Sequence, residues 1–273
     1  MMRKAGIYIV EAIGVILALL WLAPFYLMFV NAFKTKKELF ANTLDFPKTL
    51  FLENFTIAAD KLDILRTFGN SIMITVVSVC IIVFFSALAA YALQRTKSKI
   101  SNMLLFLFIA SMLVPFQSVM IPLVGFWGKM DMLNRGGIII MYLGFGGSMS
   151  IFLFHGALGG ISKSLDEAAT IDGCNKWQTF WKIIFPCMKP MSVTVAILNT
   201  IWIWNDYLLP SLVINRPETQ TIPLKMFFFF GEYTKQWNLA LAGLTLAIVP
   251  VIIFYFFAQK QIIRGITQGS VKG

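Results

Sequence analysis

Long apolar runs, separated by shorter polar stretches, are the main pattern along the chain. A helix needs roughly 20 predominantly apolar residues to cross the hydrocarbon core of a bilayer. Lipid offers no partner to a free backbone N–H or C=O, so spanning segments are helices or closed barrels, and continuous rather than alternating runs favour helices. We therefore predict an all-α polytopic membrane protein with about six transmembrane helices, at 7–33, 70–93, 103–127, 137–157, 191–212 and 238–259.

The composition agrees with a membrane protein and excludes an ordinary soluble domain. Hydrophobic residues make up 58% of the chain and charged residues only 13%, whereas soluble domains carry about 25% charged residues. The first apolar run is too long for the core of a signal peptide and lacks a small-residue cleavage site, so we interpret it as a retained span. We expect one membrane domain over residues 1–273.

The net charge of +10 does not indicate a nucleic-acid partner, because no basic patch with interleaved aromatic residues lies outside the predicted spans. Lys and Arg residues beside spans normally report orientation. Here the 23 basic residues divide almost evenly between the two sides when both termini are placed together. Charge alone therefore does not fix the orientation.

The residue types needed for catalysis or metal binding are scarce. The three cysteines and the single histidine have no metal-ligand spacing, so we predict no metal site and no catalytic residue. The chain also lacks the G-x-x-x-x-G-K-[ST] phosphate loop. We expect it to bind no cofactor and not to be an enzyme, so any energy from ATP must come from a partner.

The polar loop at 158–190 is the longest insertion between apolar runs that still has helical order. Ser164 and Glu167 have the spacing of a capping box. Gly173 can adopt the left-handed conformation that ends a helix. We therefore predict a two-turn helix over 165–172, with its acidic residues in the first turn, where the helix dipole favours negative charge.

A second helix is predicted directly after this one. Asn175 and Gln178 mark a weaker start, and Pro186 is expected to end the helix because it lacks a backbone donor. Between them, apolar residues recur at i, i+3, i+4 and i+7, a stripe that must bury against something: Trp177, Phe180, Trp181 and Ile184. A short polar helix carried on an apolar one is typical of a docking element.

The 158–190 loop resembles the EAA loop of ABC-importer permease subunits. Glu167-Ala-Ala is followed at the family's spacing by Gly173, by Ile183 and by Phe185-Pro186, although that family usually has Leu at the position of Phe185. In that family the loop is cytoplasmic and forms a coupling helix that sits in a cleft of a separate ATPase subunit. The resemblance implies ATPase-coupling roles for Ser164, Asp166, Glu167, Ala168, Ala169, Asp172 and Gly173.

Polar residues inside two predicted spans mark a candidate translocation path or outer gate. They are Gln117 in the proline-interrupted third span, and Asn199, Trp202, Asn205 and Asp206 in the fifth. An ionisable side chain within a span indicates a functional site by default. The alternative is that Asp206 lies at the outer boundary, where it caps nearby helix and contacts water.

The last outer segment, 213–236, is polar and rich in turn residues. Binding residues often occupy loops held by rigid elements. We therefore predict that an extracytoplasmic partner contacts Arg216, Glu218 and Gln220. The first outer segment, 34–69, is expected to carry a short interfacial helix, and the four phenylalanines at 227–230 are expected to lie in lipid or against other helices.

The C-terminal part narrows the resemblance. Trp204-Asn-Asp206, Thr221-Ile-Pro-Leu224 and the ending Gly265-Ile-Thr-x-Gly-x-Val-Lys-Gly273 are similar to maltose-type carbohydrate importers, specifically to the second of their two permease subunits, although Ser270 replaces a more usual Ala. The resemblance implies a multi-pass cell-membrane protein with both termini cytoplasmic. It also implies a set of partners: a second permease subunit, two ATP-binding subunits that hold ATP and Mg, an extracytoplasmic solute-binding protein, a sugar and membrane lipid.

An ion-coupled secondary transporter that uses Asp206, together with Glu11, is the alternative function. Such transporters usually contain internal repeats with broken helices at corresponding positions. No repeat relates residues 1–130 to residues 131–273. ATP dependence of uptake would separate the two functions.

Overall fold

The computed structural model describes residues 2–96, 98–230 and 236–270, and throughout these residues α-helices alternate with short turns, which confirms the all-α class. Short 3-10 turns at Pro217–Thr219 and Phe227–Phe229 and a π-helical turn at Phe180–Ile184 complete the elements. The α-helices are α1 (Met2–Ala32), α2 (Lys36–Ala41), α3 (Glu53–Leu62), α4 (Ile64–Thr96), α5 (Lys99–Ser111), α6 (Phe116–Lys129), α7 (Arg135–Gly159), α8 (Ser164–Ile171), α9 (Lys176–Thr179), α10 (Phe185–Cys187), α11 (Lys189–Asn205), α12 (Leu208–Val213), α13 (Ile222–Met226) and α14 (Trp237–Ser270).

Four of these helices are long and apolar enough to cross a membrane: α1 over Val10–Ala32, α4, α7, and α14 over Trp237–Lys260. Two further candidates are bent pairs. Helices α5 and α6 meet at 104°, and Lys176–Cys187 meets α11 at 75°. If each bent pair counts as one span, the total is six, in agreement with the sequence-based number.

The predicted third span, 103–127, is not one continuous helix. Helix α5 ends at Ser111, and Pro115 is the extended N-cap of α6, with φ −67° and ψ 138°. Proline has no N–H to donate and excludes helical backbone from the residue before it, so the helix breaks here. The break places Gln117 in the first turn of α6.

The predicted fifth span, 191–212, is also divided. Helix α11 ends at Asn205, and Asp206 is extended with ψ 126°. Its Oδ1 accepts a hydrogen bond from the Leu208 N–H at 3.0 Å, at the start of α12. Aspartate competes with the backbone for such hydrogen bonds and therefore favours helix ends. The apolar residues on both sides of Asn205 and Asp206 led to the prediction of one continuous span.

The first outer segment carries two short helices, α2 and α3, rather than one, and α4 begins at Ile64 instead of residue 70. Thr35 caps α2 by accepting from the Glu38 N–H at 3.3 Å. Asp63 adopts a left-handed conformation, with φ 46°, and separates α3 from α4.

The described chain forms two compact units, and the single membrane domain stays a prediction. The first unit combines Met1–Leu65 with Lys225–Ile253. Gly243 permits close packing there, because a Cβ at this position would lie 3.2 Å from Leu62 Cδ1. Of the four phenylalanines at 227–230, Phe229 is buried, whereas Phe227 and Phe228 are exposed.

The second unit combines Arg66–Leu224 with Phe254–Gly273. Two apolar clusters between α4 and α7 form its core, one near the start of α7 around Tyr142 and one near its end around Phe154. The glycine-rich part of α7 lets neighbouring helices approach, since a Cβ on Gly146 would lie 2.5 Å from Asn199 Oδ1 and 2.8 Å from Ile82 Cδ1.

Candidate functional site

Helix α8, in the 158–190 loop, starts differently from the prediction. The N-cap is Lys163, no side chain caps the helix, and Ser164 is already helical. Ser162 takes the local hydrogen bonds instead: its Oγ accepts from the Ser164 N–H at 3.2 Å and lies 2.7 Å from Ser164 Oγ. The predicted capping box between Ser164 and Glu167 is therefore wrong, because a second hydroxyl two residues upstream competes for Ser164.

The C-terminal end of α8 agrees with the prediction. Gly173 has φ +79°, its N–H donates to Thr170 O at 3.1 Å, and the Cys174 N–H donates to Ala169 O at 2.9 Å. These two hydrogen bonds form a Schellman motif, which satisfies carbonyls that a helix end otherwise leaves free. Asp172 is the C-cap residue of the helix.

The two faces of α8 have different environments. Glu167, Ala168 and Ile171 are exposed, and Ile171 reaches 87% exposure. Ala169, in contrast, is 1% exposed and packs within its own subunit. Ala169 therefore lies on the inner face of the helix, and its coupling role stays a prediction. Ala168 remains available for contact with a partner.

Asp166 also points inward, which the sequence did not predict. Its Oδ2 lies 2.9 Å from Arg95 Nη2, and its Oδ1 accepts from the Tyr91 hydroxyl at 2.6 Å. Both Arg95 terminal nitrogens also donate to Ile161 O at 3.3 Å. Arg95 thus fastens both the residues before α8 and the helix itself to the end of α4. The basic turn after the second span was the available signal, but nothing local linked it to Asp166.

The second helix of the loop starts as predicted. Asn175 Oδ1 accepts from the Gln178 N–H, and Gln178 Oε1 accepts from the Asn175 N–H, both at 2.9 Å. The weaker of the two predicted starts therefore carries a complete capping box.

Pro186 does not end this helix as expected. The Phe185 N–H donates to Phe180 O, which makes Phe180–Ile184 a π-helical turn, and the chain stays helical to Cys187. In an α-helix, a proline ring clashes with the carbonyl four residues earlier. The wider π turn leaves room for the ring.

The apolar stripe is only half buried. Phe180 and Ile184 are at most 1% exposed and pack in the core cluster with Phe154, whereas Trp177 is 58% exposed. Trp177 packs on its neighbours along the helix, with ring centroids 6.5 Å from Phe180 and 6.1 Å from Trp181. Trp177 and Ile171 therefore leave the loop with exposed apolar side chains.

The polar residues of the fifth span contact α7. The Tyr142 hydroxyl donates to Asp206 Oδ2 at 2.9 Å, and the Tyr142 ring lies edge-on to Trp202 at 5.4 Å. Asn199 is buried and donates to Ser150 Oγ at 3.0 Å. The α7 partners, Tyr142 and Ser150, were not identified from sequence, since neither stands out in an apolar run.

A cavity of about 280 Å³ brings together three of the five residues predicted for the translocation path, namely Gln117, Trp202 and Asp206. Phe116 and Phe145 line the same cavity. Asn199 and Asn205 do not line it. The Asn199 amide is directed to Ser150, and the Asn205 amide donates to the Ile201 carbonyl at 2.7 Å.

The three residues predicted to contact an extracytoplasmic partner lie on one turn. The Asn70 amide donates to the carbonyls of Glu218 and Gln220, at 2.9 and 3.0 Å, and so holds this turn against α4. Arg216 and Glu218 have exposed side chains. Within the residues that the structure describes, no group of His, Cys, Asp or Glu side chains could hold a metal ion.

Known transport proteins resemble this chain along almost its whole length. Residues 82–268 match the family of binding-protein-dependent transport system inner membrane components. The chain is 54% identical to the probable starch degradation products transport system permease protein AmyC of Thermoanaerobacterium thermosulfurigenes, covering 99% of this chain and 100% of that protein. It is 36% identical to the multiple sugar-binding transport system permease protein MsmG of Streptococcus mutans, covering 97% of this chain and 96% of that protein.

A solved structure of an ABC transporter has a fold similar to that of this chain. The crystal structure of a bacterial ABC transporter involved in the import of the acidic polysaccharide alginate matches with a TM-score of 0.80 and 26% identity, covering 94% of this chain and 96% of that one. The resemblance to ABC-importer permeases is thus confirmed by sequence and by fold. The chain belongs to the family of binding-protein-dependent transport system inner membrane components and is a multi-pass membrane permease.

Proposed function

We propose that this chain is a permease subunit of an ATP-driven sugar importer and couples to an ATPase subunit through α8. The observation that carries the proposal is the two-sided environment of α8: Ala169 and Asp166 hold it to its own subunit, while Glu167, Ala168 and Ile171 face outward. The names of the relatives, which refer to starch degradation products and multiple sugars, support a carbohydrate as the substrate.

The exposed face of α8 has the chemistry of a docking surface. The Glu167 carboxylate makes no hydrogen bond or ion pair within the described chain, so it is free to pair with a basic group of the ATPase. Ile171 offers an exposed apolar side chain, whose burial in a cleft of the partner would be favourable because it removes apolar surface from water. The small side chain of Ala168 allows the ATPase to approach the helix closely.

The energy source lies on the partners. The sequence lacks a G-x-x-x-x-G-K-[ST] phosphate-binding loop. In the proposed importer, two separate ATPase subunits hold ATP and Mg, and this chain binds no cofactor. Their closure moves α8, and the spans switch between inward- and outward-facing arrangements, as in other two-state transitions. This assignment places α8 and both termini in the cytoplasm. The chain forms half of the pathway, as the second subunit beside another permease.

The cavity between Gln117, Trp202 and Asp206 is the proposed contribution of this chain to the translocation path or outer gate. It combines aromatic walls with few polar groups, as ligand sites do. Both oxygens of Asp206 already accept hydrogen bonds from the chain, one from Leu208 and one from Tyr142. This arrangement favours a structural or gating carboxylate over the ion carrier of a secondary transporter.

Uptake measurements in vesicles test the proposal. The chain is reconstituted with a second permease, the ATPase subunits and a solute-binding protein, and labelled sugar is supplied outside. We expect uptake to require internal ATP and the binding protein and to persist when ionophores collapse the ion gradients. Uptake that follows an ion gradient without ATP would contradict the proposal.

A further inference from the structure

A second cavity, of about 650 Å³ and lined mainly by polar residues, lies at the N-terminal end of α7. Helix α7 has 25 residues and is therefore about 37 Å long at 1.5 Å per residue, enough to cross the membrane. Its C-terminal end, Gly159, leads into α8. The cavity therefore opens on the opposite face of the membrane from α8. Its polar lining residues are Asp131, Asn134, Arg135, Asn215, Arg216 and Thr219.

Two guanidinium groups line this cavity without a counter-charge bound to either. In the described part of the chain, neither Arg135 nor Arg216 makes a side-chain hydrogen bond or an ion pair. Asp131 lines the same cavity but pairs with neither of them. A guanidinium presents five N–H donors in a planar fork that matches a carboxylate, often through two parallel hydrogen bonds. The cavity therefore offers an unused site for an anionic group.

Local hydrogen bonds fix the backbone at both arginines. Arg135 is the first residue of α7, where Asn134 Oδ1 accepts from the Gly136 and Gly137 N–H groups at 2.9 and 3.1 Å. Arg216 precedes the 3-10 turn that Asn70 fixes to α4, and the Thr219 hydroxyl donates to Arg216 O at 2.8 Å. Groups held in place before binding lose less entropy when a partner arrives.

We propose that this cavity receives an aspartate or glutamate side chain of the extracytoplasmic solute-binding protein, which Arg135 and Arg216 bind. The proposal rests on the proposed function, because it requires a soluble partner on the face opposite α8. The cavity is much larger than a carboxylate, so a free small anion leaves most of it empty. A surface loop of a protein brings neighbouring side chains that fill the remaining space.

The site also lies apart from the proposed translocation path. Phe145, which lines the smaller cavity, is ten residues further along α7 than Arg135, or about 15 Å at helical rise. The arginine cavity is therefore at the mouth of the subunit, where a partner docks, and the aromatic cavity is at membrane depth.

The test uses the complete importer in nanodiscs with its own binding protein and measures the concentration of binding protein that half-maximally stimulates ATP hydrolysis. We expect Arg135→Gln and Arg216→Gln each to raise this concentration about 30-fold or more, as loss of one partner of a buried charge pair in an interface does. The double variant Arg135→Glu with Arg216→Glu should raise it more than either. Lys129→Gln is the matched control, because Lys129 is exposed at the end of α6 and does not line the cavity; it should behave as the parent.

Three results would overturn the inference. Unchanged half-maximal concentrations in both glutamine variants, with a stimulated parent, would exclude the docking site and leave the proposed function intact. A lower uptake of an anionic sugar with an unchanged titration of binding protein would make the occupant a substrate. If no binding protein stimulates the parent, the proposed function fails, and the docking site fails with it.

Discussion

Two adjacent acidic residues on α8 have different environments. Asp166 pairs with Arg95 and Tyr91 inside the subunit, whereas Glu167 is exposed and unpaired within the described chain. Consecutive residues lie about 100° apart around a helix, so one turn both holds α8 to its own subunit and leaves a negative charge exposed on the other side. A rigid joint of this kind is needed if force applied to the outer face is to reach α4.

The joint can be tested by removing the charge of Asp166. Asp166→Asn keeps an acceptor for the Tyr91 hydroxyl but removes the ion pair with Arg95, whose side chain is 14% exposed against 20% for Asp166. We expect a loss of about 1–2 kcal/mol of stability for such a partly exposed pair, and more ATP hydrolysed per sugar imported. The exchange of both residues, Asp166→Arg with Arg95→Asp, should recover part of the coupling. Equal coupling in the parent and in Asp166→Asn would exclude the joint.

A substitution of Gln117 can distinguish a role in translocation from a role in stability. Its amide lines the smaller cavity and makes no hydrogen bond within the described chain, so Gln117→Leu should leave the melting temperature of the complex unchanged. We expect the variant to change the sugar concentration needed for half-maximal uptake. Asn205→Leu is the comparison, because Asn205 does not line the cavity. Identical uptake in the parent and Gln117→Leu would remove Gln117 from the path.

At the scale of single elements, the end of α8 depends on one residue. Gly173 has φ +79°, and no atom lies within 4 Å of a Cβ added there. The cost of a side chain is thus backbone strain, about 1–2 kcal/mol for an ordinary residue. We expect Gly173→Ala to speed hydrogen exchange of the Cys174 amide, whereas Gly173→Asn, which tolerates the left-handed conformation, should stay close to the parent. Equal exchange in Gly173→Ala and the parent would contradict this account.

The sequence predicted features that depend on a single residue type or on long hydrophobic runs. The left-handed Gly173, the Asn175–Gln178 capping box and the approximate spans belong to this class. It did not predict features decided by competition or by distant contacts. The Ser162 hydroxyl displaced the expected cap at Ser164, and the partner of Asp166 comes from α4.

Helix breaks inside the predicted spans were foreseen only in part. The third span was recognised as proline-interrupted, but the divisions into separate helices at Pro115 and at Asp206 were not predicted. Pro186 is accommodated by a π turn instead of ending its helix. Hydrophobicity measures how well a segment suits lipid, and it does not reveal where the backbone hydrogen bonds change partners. The cavity of Gln117 and Asp206 arises at two of these breaks.

At the scale of the whole molecule, the proposed function needs separate surfaces for the ATPase and for the binding protein. The outer face of α8 lies beyond one end of α7, and the arginine cavity lies at the other end. The apolar exposure of α1, of which only 6% of the most apolar window is buried, suits lipid or a second permease. Under the proposed function, these two surfaces would contact an ATPase and a binding protein on opposite faces of the membrane.

ATP-dependent sugar uptake by a variant with an altered α8 surface tests the central claim most directly. Glu167→Lys with Ile171→Asp changes two exposed side chains of α8 and leaves Asp166 and Ala169 in place, so the two permease subunits should still assemble. We predict that vesicles with the parent import labelled sugar with ATP, and that the double variant neither retains the ATPase subunits in a pull-down nor imports sugar. Uptake at the parent rate by the double variant would contradict coupling through α8.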